Sequence, residues 1–158
     1  MKKFLFTLIL LMIVAFPSSA QQEHDFAAHF METYGNTEEL TCTTVSPQMM
    51  ERIIRLKEVE GDDKNLQVLT QIKSIRIISC GQYSEAGVFY KKAGMLAREN
   101  KKRYKRYAEK DDTAIYIRRR GRLIVELVVI RLKDEKNFSL LNFTGNMSDK
   151  FISQVMNI

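Results

Sequence analysis

A chain of 158 residues is short for more than one domain. It carries 25 basic and 19 acidic residues, a net charge of +6, two cysteines and no tryptophan. That length excludes a multidomain enzyme, and no apolar run reaches the roughly 20 residues of a membrane-spanning helix.

The first residues read as a targeting segment. Met1-Lys2-Lys3 is a basic start, residues 4–16 are apolar except for Thr7, and Pro17-Ser18-Ser19-Ala20 ends in small residues. This order is that of a secretory signal peptide cleaved after Ala20. The expected product is one exported domain, residues 21–158, in the periplasm or at the cell surface. With no cysteine at the cleavage point, a lipid anchor is not expected. Export also removes cytosolic nucleic acid as a partner. Charge is uneven along the remainder: Gln21 to Asn65 holds ten acidic and four basic residues, Lys91 to Arg122 thirteen basic and four acidic. Such polarity steers acidic polymers or anionic surfaces without dictating a fold.

In chain order, Asp25 caps a helix with Phe26, Phe30, Met31 and Tyr34 on one face, ended by Gly35 and Asn36. Leu40 to Val45 is threonine-rich and strand-forming. Ser46-Pro47 is an N-cap followed by proline at the first helical position. The next helix aligns Met49, Met50, Ile53, Ile54 and Lys57, and stops at the Gly61 to Lys64 turn. Leu66, Leu69 and Ile72 mark a short helical stretch that leads into a strand, Ser74 to Cys80. Gly81 ends that strand, and Ser84 caps a helix presenting Phe89, Lys92, Ala93 and Leu96.

Four strands follow, over 103–110, 113–119, 122–132 and 138–144, with turns at Asp111-Asp112, Arg120-Gly121 and residues 134–137. Leu123 to Ile130 is apolar on both pleat faces except at Glu126, the pattern of a central strand. Ser148-Asp149 caps a last helix with Phe151, Ile152, Val155 and Met156 inward. Short turns make these strands antiparallel. The expected fold is α+β: two layers, a mostly antiparallel sheet with helices packed on one face.

The segments Asp111 to Ile117, Leu123 to Ile130 and Phe138 to Gly145, followed by Ser148 to Ile152, carry a resemblance. With the upstream Val45-Ser46-Pro47-Gln48-Met49-Met50 and the isoleucine-rich strand, the chain resembles the exported domain-of-unknown-function family 4252 of Gram-negative bacteria. The resemblance implies a small secreted or lipid-anchored protein without an assigned activity. Genes of that family often lie near those of extracytoplasmic sigma-factor signalling, so the resemblance implies an envelope-stress role. The Arg120-Gly121 turn, where the family pattern has Asp or Asn before Gly, and the basic run Lys101 to Arg106 depart from that pattern. No catalytic residue carries over.

Candidate chemistry is sparse. Cys42 and Cys80 either form one disulfide, worth about 4 kcal/mol for a loop of this length, or remain thiols in their strands. His24 and His29 are five apart, the wrong spacing for one helix face; with Asp25 and Glu32 they suggest at most a weak surface metal site, so no metal or cofactor is expected. Glu126, inside an apolar strand, must be paired, hydrogen-bonded or protonated, or else face the uncovered side of the sheet. It is either an acid or base with a raised pKa, or the partner of Arg118 or Arg119 on the next strand. Lys101, Lys102, Arg103, Lys105 and Arg106, with Arg118 and Arg120, form either an ordinary solvated face, the favoured reading, or a basic patch for an envelope protein, acidic polysaccharide or anionic membrane surface. Tyr104 and Tyr107 point to opposite faces of a strand and make no stacking platform. Asp112-Thr113-Ala114 matches a short O-glycosylation pattern but reads better as a turn. The expected function is a non-enzymatic, envelope-associated binding module; the alternative is an envelope hydrolase or transferase using Glu126 as acid or base.

Overall fold

The computed structural model describes residues 24–61, 63–80 and 85–156. Its elements are α1 (Phe26–Tyr34), β1 (Thr41–Val45), α2 (Pro47–Glu60), α3 (Asp63–Leu69), β2 (Ile72–Cys80), α4 (Ala86–Glu99), β3 (Lys105–Lys110), β4 (Thr113–Arg120), β5 (Leu123–Lys133), β6 (Asn137–Met147) and α5 (Asp149–Met156). The expected signal segment Met1 to Ala20 and the expected cap Ser84 lie outside the described residues, as do the side chains of Val155 and Met156. No helix among the described residues is long and apolar enough to cross a membrane.

Local signals set most boundaries. Asp25 caps α1 by accepting the Ala28 N–H, and Ser46 caps α2 by accepting the Met49 N–H, with Pro47 next. Gly61 ends α2 in the left-handed region at φ 71°, a conformation that favours glycine. Ser148 accepts the Phe151 N–H at the start of α5. Gly121, at φ 61°, opens the two-residue turn between β4 and β5.

The six strands form one antiparallel sheet in the order β1-β2-β6-β5-β4-β3. The fold is α+β as expected, but its layering differs. Helices cover both faces. α1 and α4 bury Phe26, Phe30, Phe89 and Leu96 against Tyr116, Val128, Ile130 and Leu140. α2 and α5 bury Met50, Phe151 and Ile152 against Ile115, Ile117, Leu127 and Val129, with Val68 and Leu69 of α3 alongside. The cause lies in β5, where Leu127, Val128, Val129 and Ile130 are consecutive and all buried. Alternation sends two of them to each face, so one helical layer would leave half of this strand in water.

A register shift in β5 positions the polar site. Between Ile124 and Glu126 the pairing with both neighbours is irregular, skipping Val125. Simple alternation would put Ile124 and Glu126 on one face. Instead Ile124 joins the core under α2 and α5, while Glu126 turns towards α1.

Candidate functional site

Glu126 sits directly opposite Arg118 on β4 and Thr144 on β6, with no exposed surface. Its Oε1 accepts the backbone N–H of Phe26 at 2.6 Å and the Asn142 side-chain amide at 3.1 Å. Its Oε2 accepts the Arg118 Nε–H at 2.9 Å. The Tyr104 hydroxyl donates to the same carboxylate, 3.2 and 3.3 Å from its two oxygens. Burial, and next the charge of Glu126, raise the Tyr104 hydroxyl far above the usual tyrosine range. It therefore stays protonated and remains a donor.

These residues close the start of α1. Phe26 N–H goes to Glu126, Ala27 N–H to Asn142 Oδ1 at 2.8 Å, and Ala28 N–H to Asp25 Oδ1 at 2.8 Å. Arg76 on β2 then donates to the other oxygen of Asp25 at 2.8 Å. The first-turn N–H groups of a helix have no partner within it, and the partial positive charge there favours a carboxylate. Three side chains from three parts of the chain fill the gap. The edge-on contact of Phe26 with Tyr104, 5.1 Å between ring centres, completes the joint. The cross-strand pair of Glu126 with Arg118, one of its two readings, is present. The role of Asn142 was missed, and its only signal was a polar residue alternating with Leu140 and Phe138 on a buried strand face.

Beside this clamp lies an open cleft of about 850 Å³ between the N-terminal ends of α1 and α2. Lys73 and Arg76 reach it from β2, Arg118 and Arg120 from β4, with Asp25 and Glu51 as the carboxylates. Thr144 and Ser74, whose hydroxyls are hydrogen-bonded to each other, line the same space. Sequence reasoning missed Lys73 and Arg76. The alternation of Ser74 and Arg76 with Ile75 and Ile77 was visible but marks no dry face, since Ile77 is exposed while Ile78 and Cys80, in step with Arg76, are buried.

The sequence-expected basic patch is divided. Arg118 and Arg120 share the cleft. Lys101 and Lys102 are exposed in the turn after α4. Arg103 donates to the His24 carbonyl at 2.9 Å. Lys105 and Arg106 lie opposite Ile117 and Tyr116, which point to different faces of the sheet. Arg106 pairs with Glu109 and lies over the Tyr116 ring. Arg119 points to the opposite face from Arg118 and pairs with Asp149 at the start of α5, which lowers that carboxyl.

Cys42 and Cys80 are on neighbouring strands, as their strand positions suggest, but both are free thiols. Cys42 lies opposite Ile78, so Cys80 is two residues out of register with it. Such diagonal neighbours are roughly 7–8 Å apart, beyond disulfide reach without backbone movement. Cys42 is exposed, whereas Cys80 is buried, and its thiol is raised by burial and then by Glu39 and Glu85. His24 lies 3.9 Å from Glu32. Among the described residues no group of three or more His, Cys, Asp or Glu converges as a metal site.

Fold and site together define an α+β domain with a sheet covered on both faces and a cationic cleft beside a buried carboxylate. The family model for Domain of unknown function (DUF4252) matches residues 34–155, and the chain belongs to that family. The match begins at the last residue of α1, so Phe26 and Ala27 lie ahead of it while Glu126 and Asn142 lie within it. No curated protein matches the chain.

Proposed function

We propose that this protein is an exported, non-enzymatic binding module of the cell envelope, whose cleft recognises anionic groups. The observation that carries the reading is the cleft itself. Four cationic side chains from β2 and β4 line one concavity that holds two carboxylates. Arg76 and Arg118 are oriented by Asp25 and Glu126, which holds their guanidinium groups in place for a ligand. The basic start and apolar run of residues 1–20 support export, and the family resemblance supports an envelope-signalling setting. An acid or base role for Glu126 draws no support from the site: it has no exposed surface, and its oxygens accept from Phe26, Asn142, Tyr104 and Arg118.

The recognised chemistry is a carboxylate, sulfate or phosphate group, carried by an acidic polysaccharide or by a lipid headgroup. Titration of the exported chain with a heparin-like polymer, and separately with anionic vesicles, tests the reading and distinguishes the two sources. Binding is expected at low salt and weakens towards physiological salt, where the Debye length is about 8 Å. No binding to either probe at low salt overturns the proposal.

A further inference from the structure

The two edges of the sheet are built differently. β3 closes one side with Lys105, Arg106, Glu109 and Lys110 among its six residues, and with a register shift between Arg106 and Ala108. Charges and bulges of this kind blunt an edge against further pairing. β1 closes the other side with Thr41-Cys42-Thr43-Thr44-Val45, which has no charge and pairs with β2 without a shift. Its first four residues are exposed, and no strand of the described residues lies on its outer side. A regular, uncharged edge rich in β-branched residues is a template for another strand.

Charge along β1 indicates which strand. Glu38 and Glu39 precede it, and the carboxylates of Glu39 and Glu85 both act on Cys80 at the same end of β2. At the other end Lys73 is exposed at the start of β2, and Thr44 lies beside Arg76, which is paired with Asp25. The edge therefore runs from an acidic end to a cationic end. An identical strand laid antiparallel brings the acidic end of each copy to the cationic end of the other. A parallel copy would place like ends together.

We propose that β1 is a self-association edge, with two copies pairing β1 to β1 antiparallel about a two-fold axis at Thr43 to form one continuous sheet. Thr43 then faces Thr43 of the second copy, Cys42 faces Thr44, and Thr41 faces Val45. Such an interface is isologous and closes as a dimer, so it does not propagate into fibres. Thr44, Lys73 and Arg76 at its cationic end also line the cleft, but sedimentation without a cleft ligand reads the pairing by itself.

Sedimentation of the exported chain over a wide concentration range tests the pairing. A monomer–dimer equilibrium that weakens with salt is expected. Thr43→Lys sets like charges face to face on the axis and raises the dissociation constant by about tenfold or more. Its circular dichroism and thermal unfolding establish that the fold is kept. In a Cys42→Ser background, Thr43→Cys is expected to give a covalent dimer with a short bismaleimide, since buried Cys80 does not react. Lys136→Cys, in the β5–β6 turn, gives none in that background. A monomer at every concentration, a dimer indifferent to Thr43→Lys, or equal cross-linking from Lys136→Cys overturns the proposal.

Discussion

The carboxylate of Glu126 accepts the backbone N–H of Phe26 at 2.6 Å, across one hundred residues of chain. This bond joins the first turn of α1 to the most buried strand of the sheet. It converts what looks in sequence like an isolated acid into a cap for a distant helix. A buried carboxylate is costly unless its lone pairs are used, and here Arg118, Asn142 and Tyr104 use the rest. Stability at this joint should therefore depend on acceptors more than on apolar area.

Glu126→Leu removes the Phe26 acceptor and leaves Arg118 without its carboxylate. The expected cost is about 3–5 kcal/mol, the range for breaking one side of a buried pair. Glu126→Gln keeps one oxygen for Phe26 and should cost about 1–3 kcal/mol. Denaturant unfolding of both variants measures this. Losses below about 1 kcal/mol in both would mean that the clamp is not holding α1.

Asn142 is a second point of attachment for the same helix. Asn142→Leu leaves the Ala27 N–H buried without an acceptor and should cost about 1–3 kcal/mol. Because Asn142 also donates to Glu126, its effect should not add to that of Glu126→Gln. A double-mutant cycle is expected to give a coupling of about 0.5–3 kcal/mol, and strict additivity would contradict the shared network.

Tyr104 makes stability depend on alkaline pH. Its folded-state pKa is raised above the ordinary value of 10.0, by burial first and then by Glu126. The unfolded chain thus ionises first. The hydroxyl's contribution is complete below pH 10 and is lost progressively as pH rises above it. Tyr104→Phe should flatten the fall of unfolding free energy above about pH 10, although it also removes one donor to Glu126. Among the six tyrosines, Tyr104 should yield its tyrosinate absorbance only as the chain unfolds.

Gly145 marks a close approach of backbone to backbone. A Cβ there would lie 2.0 Å from the Gln71 carbonyl oxygen, the same oxygen that accepts the Asn146 N–H. Gly145→Ala must push β6 away from the α3–β2 junction at one wall of the cleft. We expect a loss of about 1–3 kcal/mol, the usual range for overpacking, read by thermal or denaturant unfolding. An unchanged midpoint would show that this junction yields freely.

The sequence was most legible where structure is local. Asp25, Ser46-Pro47, Gly61 and Ser148 mark helix ends by chemistry that acts within a few residues. The Arg118–Glu126 pair was only partly within reach: the tight turn at Gly121 brings the two residues close, but its unshifted register sets Arg118 opposite Val125, and only the skipped Val125 places Glu126 there. What escaped reading depends on distant chain segments. Asn142 carries no motif, and only the docking of α1 gives it a task. The skipped Val125 reverses the alternation on which face assignment rests, so the facing of Ile124 could not be read from spacing. Helices on both faces were foreshadowed by the double burial of β5, yet amphipathic spacing says which side of a helix is apolar and not which face of the sheet it meets. Finally, the run Lys101 to Arg106 drew attention by density, whereas the cleft gathers its cations two each from β2 and β4, far apart in the chain.

The most direct test of the binding account compares two paired charge reversals by equilibrium titration with a heparin-like polymer at low salt. Lys73→Glu with Arg120→Glu alters the cleft and leaves the Glu126 clamp intact. Lys105→Glu with Arg106→Glu alters the β3 edge by the same formal charge. Equal net charge removes long-range steering as the difference between them. The account predicts that the cleft pair abolishes binding while the β3 pair retains most of it. Equal losses from both, or a larger loss from the β3 pair, would contradict a binding site in the cleft.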